Sequence, residues 1–243
     1  MHPRVAILAK DPAAGFPPAT QALSEPDGLL AAGGDLSPAR LLDAYRHGIF
    51  PWYERDQPIL WWSPARRLVF RTDGVHLSRR FRRTLRTSSW TVRADTSFDA
   101  VVAACAAIRP GQRGTWITAE MRAAYGELHR LGHAHSIEVF DRERLVGGLY
   151  GVAIGRMFYA ESMFSGDSGG SKVALRALAS WIDRLGAPMF DAQLENPHLR
   201  RMGGELMPRD RFLAEVARLT ALPGLPGSWE AAFGGLEAAA LAG

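Results

Sequence analysis

The chain has 243 residues, of which 47% are hydrophobic and 22% are charged, with a formal net charge of +4. This composition is typical of a globular protein with a substantial core and excludes a disordered chain, while the length allows one large domain or two modest ones. The apolar run near the start, Val5–Ala9, is too short for a signal peptide and no stretch approaches a membrane span, so we expect a soluble cytoplasmic protein without a membrane partner.

An irregular entry is predicted for residues 1–35, which are rich in proline and glycine. A helix should follow, because Ser37 is a favourable N-cap, Pro38 suits the first helical position and Gly48 suits the C-terminal end. An aromatic segment that includes Trp52 comes next. Its rings either form a small aromatic core or lie exposed as a platform on which a nucleic-acid base stacks.

Between Arg66 and Arg93 the chain carries nine arginines and a single acid, Asp73. Ser78 is the expected N-cap of a short helix in this segment. Four arginines follow the i, i+3, i+4, i+7 spacing that places them in one stripe of that helix: Arg79, Arg82, Arg83 and Arg86. Such a stripe is either a solvated face or a phosphate-binding one, and its lack of compensating acids favours nucleic acid.

The second half of the chain predicts an α+β fold. A helix capped by Thr118 precedes three strands, a helix capped by Ser171, a further strand and a last helix, which is the order of a sheet with packed helices. The predicted strands are His133–Phe140, Arg144–Val152, Met157–Phe164 and Met189–Leu194. A boundary after residue 66 would divide a small N-terminal α/β domain, residues 1–66, from a larger domain, residues 67–243.

Residue types and spacing give little support for metal chemistry. The histidines at 129, 133 and 135 straddle a helix-to-strand boundary without a supporting cluster of Cys or Asp, so we expect hydrogen-bonded imidazoles and no metal. Cys105 is the single cysteine, which excludes an internal disulfide. It lies in a run of small residues, where a buried inert thiol is expected rather than a nucleophile.

Two acids interrupt apolar strands in the second half of the chain. Glu161 lies in the strand that begins at Met157, where alternation would place it on one face with Tyr159 and Met163. By the same rule Asp191 and Gln193 would share a face of the next strand. A carboxylate is costly to bury without a partner, so these strands either make structural hydrogen bonds or form a site.

Eight sequence blocks, in this order, resemble those of the leucyl/phenylalanyl-tRNA–protein transferases, bacterial enzymes of the N-degron pathway. The blocks are GLLAAGGDLSPARLLDAYRHGIFPWY, ILWWSP, GTWIT, LGHAHSIEV, LVGGLYGVAIG, FYAESMFS, SKVAL and DAQLEN. The resemblance extends from about residue 16 to residue 215, nearly the whole chain. It implies a small N-terminal α/β domain followed by a GNAT-like acyltransferase domain.

The same resemblance implies a reaction and its partners. Leucine or phenylalanine, and in some cases methionine, would pass from a charged tRNA to the α-amino group of a protein that begins with Arg or Lys. The aminoacyl ester is already activated, so neither ATP nor another cofactor is expected. The sequence leaves the oligomeric state open, and we expect a monomer.

Residue roles follow where this sequence matches the family's motifs. Asp191 and Gln193 match the proposed catalytic pair, and Glu161 matches the acid of the E-S-M-F-S segment. Trp52 and Trp116 match the aromatics expected to hold the terminal adenosine of the tRNA. The basic helix expected at the acceptor stem corresponds to Arg79, Arg80, Arg82, Arg83 and Arg86. The candidates for the apolar aminoacyl pocket are Leu149, Phe158, Met163, Leu178 and Phe190.

Two departures from the family pattern and two alternative functions remain. Gly166–Gly170 replaces a less glycine-rich loop, and Pro197 stands where the family usually has Asp. A coenzyme-A-dependent N-acetyltransferase on the same fold would need a [QR]-x-x-G-x-[GA] pattern after a strand, which is missing between residues 157 and 172. A non-catalytic RNA-binding module would explain the arginines and tryptophans but leave the two acids unexplained.

Overall fold

The computed structural model describes residues 4–11, 15–107 and 114–243, and it contains two sheets. The first has four strands in the order β1-β2-β4-β3, and helix α1 lies between its second and third strands in the sequence. These elements are β1 Ala6–Leu8, β2 Leu29–Gly33, α1 Pro38–Arg46, β3 Phe50–Pro51 and β4 Leu60–Trp62. Single 3-10 turns occur at Ala19–Gln21, Thr72–Gly74 and Ala238–Ala242.

The second sheet has eight strands in the order β11-β5-β10-β9-β8-β7-β6-β12. Its strands are β5 Arg66–Arg71, β6 Trp90–Ala94, β7 Ala134–Asp141, β8 Arg144–Ile154, β9 Met157–Ser165, β10 Met189–Asp191, β11 Glu205–Pro208 and β12 Leu236–Glu237. Neighbouring strands are antiparallel except β9 and β10, which are parallel. The change from the first sheet to the second falls between residues 62 and 66, beside the predicted domain boundary.

Seven further helices pack around the second sheet. They are α2 Arg79–Leu85, α3 Phe98–Ala106, α4 Ala119–Arg130, α5 Gly170–Arg184, α6 Pro197–Arg201, α7 Arg209–Thr220 and α8 Glu230–Phe233. Helix α5 packs against β7, β8 and β9, and its apolar side chains belong to one buried cluster. Helices α1, α3, α4 and α7 contribute to the other, which also contains residues of the first sheet. The two sheets therefore share a core, and the predicted α+β class is confirmed.

Side-chain caps explain where several helices begin. Ser37, Ser78 and Thr118 each accept a hydrogen bond from the backbone N–H three residues later, as the sequence predicts. The predicted cap at Ser171 is wrong. Helix α5 begins at Gly170, two residues earlier than a cap at Ser171 implies. It follows Gly169, whose φ of +98° is a left-handed conformation that favours glycine, and the Ser171 hydroxyl instead accepts from the Ser165 hydroxyl at 2.9 Å.

Strand β10 is shorter than the sequence predicts. The predicted strand runs to Leu194, but pairing ends at Asp191, whose Oδ1 accepts a hydrogen bond from the Gln193 backbone N–H at 2.8 Å. Gln193 takes a left-handed φ of +59°. Asp191 and Gln193 therefore lie on either side of a turn instead of sharing one face of a strand.

Candidate active site

A cavity of about 620 Å³ opens where the parallel strands β9 and β10 diverge. The two strands pair at one position, Asp191 with Tyr159, after which β10 ends while β9 continues to Ser165. The apolar part of the lining comes from Cys105, Trp116, Leu149, Met163, Leu175 and Leu199. Polar groups on the wall include Glu161, Ser162, Ser165, Ser171, Asn196 and His198.

A β-bulge places Glu161 at this cavity. On strand β8, Tyr150 pairs with Ser162 and Gly151 pairs with Ala160, which leaves Glu161 without a partner residue. The bulge requires glycine on the facing strand, because a Cβ at Gly151 would lie 2.2 Å from the carbonyl oxygen of Tyr159.

The same bulge shifts, by one position, the alternation of β9 side chains between the two faces of the sheet. Tyr159 belongs to the core shared with α1, whereas Met163 packs against the core formed around α5. The prediction that Tyr159, Glu161 and Met163 share one face is therefore wrong. Alternation cannot place these side chains because the extra residue of a bulge shifts the pattern by one position.

The Glu161 carboxyl is almost completely buried and is held by neutral donors. The Tyr125 hydroxyl donates to its Oε2 at 2.9 Å, and the Gln193 side-chain amide donates to its Oε1 at 2.8 Å. Burial raises the pKa of Glu161 to about 7, although hydrogen bonds from Tyr45, Tyr125 and Gln193 act to lower it. This carboxyl can therefore exchange a proton near neutral pH, as a general base or acid must.

Asp191 lies in a different environment, because its carboxylate is fully buried against a guanidinium. Arg67 donates through Nε to Oδ1 at 3.2 Å and through Nη2 to Oδ2, while its Nη1 donates to the Gly48 carbonyl at 2.8 Å. The guanidinium lies between the rings of Phe50 and Phe212, 4.7 Å and 4.5 Å from their centroids. Asp191 is thus part of the structure beneath the cavity rather than of its wall.

Gln193 connects these two acids. Its backbone N–H is bound by Asp191, and its side-chain nitrogen faces Glu161 because a carboxylate only accepts hydrogen bonds. The amide oxygen of Gln193 therefore remains as an acceptor for a further hydrogen bond. The sequence predicts these three residues, but the structure shows Arg67 as the partner that the prediction missed.

The two predicted tryptophans occupy different positions at the site. Trp116 is half-buried and lines the cavity. Trp52 is 42% exposed and meets Trp62 edge to face, at 5.7 Å between ring centroids. Tyr53 follows Trp52 in the sequence, and the side chains of Thr118 and Glu120 both influence the pKa of its hydroxyl. The segments that carry the two tryptophans are therefore neighbours.

Only part of the predicted aminoacyl pocket lines the cavity. Leu149 and Met163 do, whereas Phe158, Leu178 and Phe190 are buried in the cluster behind the wall. Phe190 stacks on Phe70 at 5.1 Å instead. The prediction of these three residues as pocket walls is corrected accordingly. Hydrophobicity alone does not distinguish a residue that lines the cavity from one in the core behind it. The sequence-based prediction therefore omitted Leu175 and Leu199, which line the cavity.

The arginines of the predicted basic stripe differ in exposure and in their bonding partners. Arg79, Arg80 and Arg83 are exposed on α2, and the exposed Arg86 follows its last residue and donates through Nη2 to the carbonyl of Ala242 at 3.4 Å. Arg82 is half-buried, and its Nη1 donates to the carbonyl of Gly243 at 3.1 Å. Helix α2 lies beside the start of α5, where the Lys172 ammonium is 5.4 Å from the ring centroid of Phe81. The exposed arginines of α2 therefore belong to a helix that packs beside the start of α5, where Ser171 lines the cavity.

The histidines bind other protein groups. His135 Nδ1 lies 2.8 Å from Asp95 Oδ2, and His129 Nδ1 lies 2.8 Å from the Ala134 carbonyl oxygen. Across residues 4–11, 15–107 and 114–243, no group of three or more His, Cys, Asp or Glu is arranged to hold a metal ion. In that same part of the chain, no helix has both the length and the apolar character of a membrane span.

Comparison with known proteins identifies the family. A family described as leucyl/phenylalanyl-tRNA protein transferase matches residues 69–217, and its N-terminal domain matches residues 34–65. The leucyl/phenylalanyl-tRNA–protein transferase of Xanthomonas euvesicatoria pv. vesicatoria (strain 85-10) is 67% identical over 232 residues, which cover 95% of this chain and 93% of that protein. The protein of the same name from Xylella fastidiosa (strain 9a5c) is 59% identical over 235 residues, covering 96% and 97%.

Solved structures give weaker likenesses, which concern the fold alone. FemX aligns at 12% identity with a TM-score of 0.44, over 70% of this chain and 66% of that one. A GCN5-related N-acetyltransferase-like protein from Streptococcus suis 89/1591 aligns at 14% identity with a TM-score of 0.32, over 66% and 59%.

A cavity whose lining combines apolar side chains with the titratable carboxyl of Glu161 suits an enzyme that holds an acyl group beside a proton acceptor. The sequence matches extend over nearly the whole chain. The chain belongs to the leucyl/phenylalanyl-tRNA–protein transferase family, as the resemblance of its sequence blocks predicts.

The buried ion pair predicts a large effect of one substitution on stability. Asp191→Asn leaves the buried charge of Arg67 uncompensated, so the free energy of unfolding should fall by roughly 3–5 kcal/mol in urea titrations. Asp167→Asn is the matched control, because Asp167 pairs with Arg144 at the exposed surface and should matter little. Equal losses in the two variants would show that burial of the Asp191 pair has no special importance.

Glu161 predicts a pH-dependent contribution to stability. Its pKa is raised from 4.5 to about 7 on folding, so its contribution is present below pH 4.5 and is lost as pH rises through about 7. The free energy of unfolding of wild type minus that of Glu161→Gln should therefore fall by roughly 3 kcal/mol over this range. Urea titrations at several pH values measure it. A difference that stays constant with pH would contradict the assignment.

Proposed function

We propose that this protein transfers leucine or phenylalanine, and in some cases methionine, from aminoacyl-tRNA to the α-amino group of proteins that begin with Arg or Lys, which marks them for degradation. The observation that carries the proposal is the cavity at the divergence of β9 and β10, with Glu161 on its wall and the Gln193 side chain hydrogen-bonded to Glu161. Membership of the family supplies the substrate class, and the residues at the cavity are suited to its chemistry.

The apolar part of the cavity is the proposed place of the donor side chain. Leu149, Met163 and Leu175 offer flexible aliphatic contacts to leucine, phenylalanine or methionine. One methylene group is worth only about 1–3 kcal/mol in such a pocket, so a modest breadth among these donors is expected.

The tRNA is proposed to approach from the basic side. Trp116 offers a ring at the cavity wall and Trp52 an exposed ring on a neighbouring segment, and both suit stacking of the terminal adenosine. The exposed arginines of α2 and Lys172 would meet backbone phosphates. We propose this role for Arg79, Arg80, Arg82, Arg83 and Arg86. For Arg82 and Arg86 it would require release of their bonds to the carbonyls of Gly243 and Ala242.

The proposed chemistry is aminolysis of the ester. An α-amino group has a pKa of about 8, so roughly a tenth of it is neutral at pH 7. Its nitrogen attacks the ester carbonyl, the new C–N bond forms, the C–O bond to the ribose breaks, and the ribose oxygen leaves as a hydroxyl with a proton. The Gln193 amide oxygen would orient the amine, and Glu161, with a pKa of about 7, would accept its proton.

Asp191 receives a different role from the one that its motif implies. Its carboxylate is fully buried and bound by Arg67, so it would not take the proton of the amine. We propose that Asp191 acts as a positioning residue, because it fixes the turn from which Gln193 reaches Glu161. A hydroxyl of the terminal ribose is the alternative proton carrier in this scheme.

Three further features of the proposal follow from the substrates and the fold. Aminoacyl-tRNA is made and used in the bacterial cytoplasm, so we propose that the enzyme acts there. We also propose that it acts as a monomer, with residues 1–66 and 67–243 as its two domains. The shared core of the two sheets supports joint action of both parts in one chain.

Mass spectrometry of a short peptide that begins with Arg tests the proposal. After incubation with enzyme and leucyl-tRNA, the peptide should gain one leucine residue, whereas an N-acetylated peptide of the same sequence should gain nothing. A parallel tube with acetyl-CoA tests the acetyltransferase alternative, and a gain of an acetyl group only there would overturn the proposal.

Trp116→Ala should raise the KM for leucyl-tRNA by roughly 5- to 150-fold, since one base stack is worth about 1–3 kcal/mol.

A further inference from the structure

Three fully buried tyrosines surround the Glu161 carboxyl. The Tyr125 hydroxyl donates to Glu161 at 2.9 Å, and its oxygen lies 2.5 Å from the Tyr45 hydroxyl. Each hydroxyl has one proton, so Tyr45 donates to Tyr125 when Tyr125 donates to Glu161. The third hydroxyl, that of Tyr150, is buried and has no hydrogen-bond partner among the described residues.

These hydroxyls connect the first sheet's helix to the cavity. Tyr45 lies in α1, Tyr125 in α4 and Glu161 in β9. The end of α1 is itself fixed at two backbone carbonyls. Tyr159 donates its hydroxyl proton to the carbonyl of Tyr45 at 2.7 Å, and Arg67 donates to that of Gly48 at 2.8 Å. The Tyr45 ring therefore has a defined position from which it can direct Tyr125.

We infer that Tyr125 and Tyr45 are positioning residues, which hold the Glu161 carboxyl at the cavity wall and tie its orientation to helix α1. This inference rests on the proposed function for its catalytic consequence, whereas the hydrogen bonding itself can be tested without turnover. It assigns a part of the active site to helix α1 in the N-terminal segment of the chain.

The donors determine how readily the carboxyl ionises. Burial, and after it the charge of Glu161, raises the pKa of Tyr45 and Tyr125 well above the usual value, so both remain protonated donors at neutral pH. A hydrogen bond to a carboxylate stabilises its charged form, so removing the donor should raise the pKa of Glu161. The titratable groups that face Glu161 are Tyr45 on α1, Tyr125 on α4, Tyr150 on β8 and Asp191 on β10. Asp191 is in turn paired with Arg67 on β5.

The test compares three tyrosine-to-phenylalanine variants in two measurements. Tyr125→Phe removes the direct donor, Tyr45→Phe removes the outer hydroxyl, and Tyr150→Phe is the matched control because its hydroxyl donates to no described group. The first measurement is the titration of the Glu161 side-chain carboxyl by carbon-13 NMR, assigned with Glu161→Gln. The second is the pH profile of single-turnover leucine transfer to a peptide that begins with Arg.

We expect Tyr125→Phe to shift the Glu161 titration and the acidic limb of the rate profile upward by roughly half to one pH unit, the equivalent of one lost hydrogen bond. Tyr45→Phe should shift both in the same direction, because the Tyr45 hydroxyl also acts to lower the pKa of Glu161, and it supplies the test if Tyr125→Phe proves too unstable. Tyr150→Phe should shift neither.

The outcomes separate this inference from the proposed function. Unshifted titrations in both Tyr125→Phe and Tyr45→Phe, with wild-type transfer intact, would overturn the inference alone. An equal shift in Tyr150→Phe would also overturn it, because the effect would then not depend on the hydrogen bond. If wild type transferred no leucine while the NMR shifts occurred as expected, the proposed function would fail and the positioning of Glu161 would stand.

Discussion

The buried ion pair between Arg67 and Asp191 is the interaction on which the rest of the site depends. Removing two charges from water costs several kcal/mol, and good geometry with further hydrogen bonds is needed to offset that cost. Here the guanidinium bonds the carboxylate and the Gly48 carbonyl and lies between the Phe50 and Phe212 rings. The pair thereby joins β5, β10, α7 and the end of the first sheet's helix at one point.

The position of Gln193 follows from that pair. Because Asp191 is fixed, its remaining acceptor capacity binds the Gln193 backbone and stabilises the left-handed turn that ends β10. The turn lets β9 and β10 diverge and opens the cavity between them. It also brings the Gln193 amide to the bulged residue Glu161 on the facing strand. Two neighbouring carboxyls thus receive different partners: a buried cation for Asp191, and neutral hydroxyl and amide donors for Glu161.

Several features of this arrangement are predictable because their causes are local. Ser37, Ser78 and Thr118 are residue types that favour helix N-caps, and each caps the helix that follows it. The strands β7, β8 and β9 also form close to where the sequence predicts them. The motif acids Glu161 and Asp191 also meet through Gln193, as two interrupted strands suggest.

The features that the sequence could not predict depend on distant partners. Nine arginines occur from Arg66 to Arg93, and nothing in their spacing marks Arg67 as the buried one of this set. The bulge at Glu161 depends on the register with β8, so the alternation rule fails there. Phe158 and Phe190 are as apolar as Leu175, and only packing decides which of them reaches the cavity. The tyrosines Tyr45 and Tyr125 are 80 positions apart and carry no local signal.

The most direct test of the account is a double-mutant cycle between Glu161 and Gln193 in single-turnover leucine transfer, with Glu161→Gln, Gln193→Ala and the double variant. If the two side chains act as one unit, each single variant should lose most of the rate, and the double variant should be little slower than the slower single variant. If the two losses multiply, or if Glu161→Gln transfers leucine at the wild-type rate, the hydrogen bond between them is not the centre of the site.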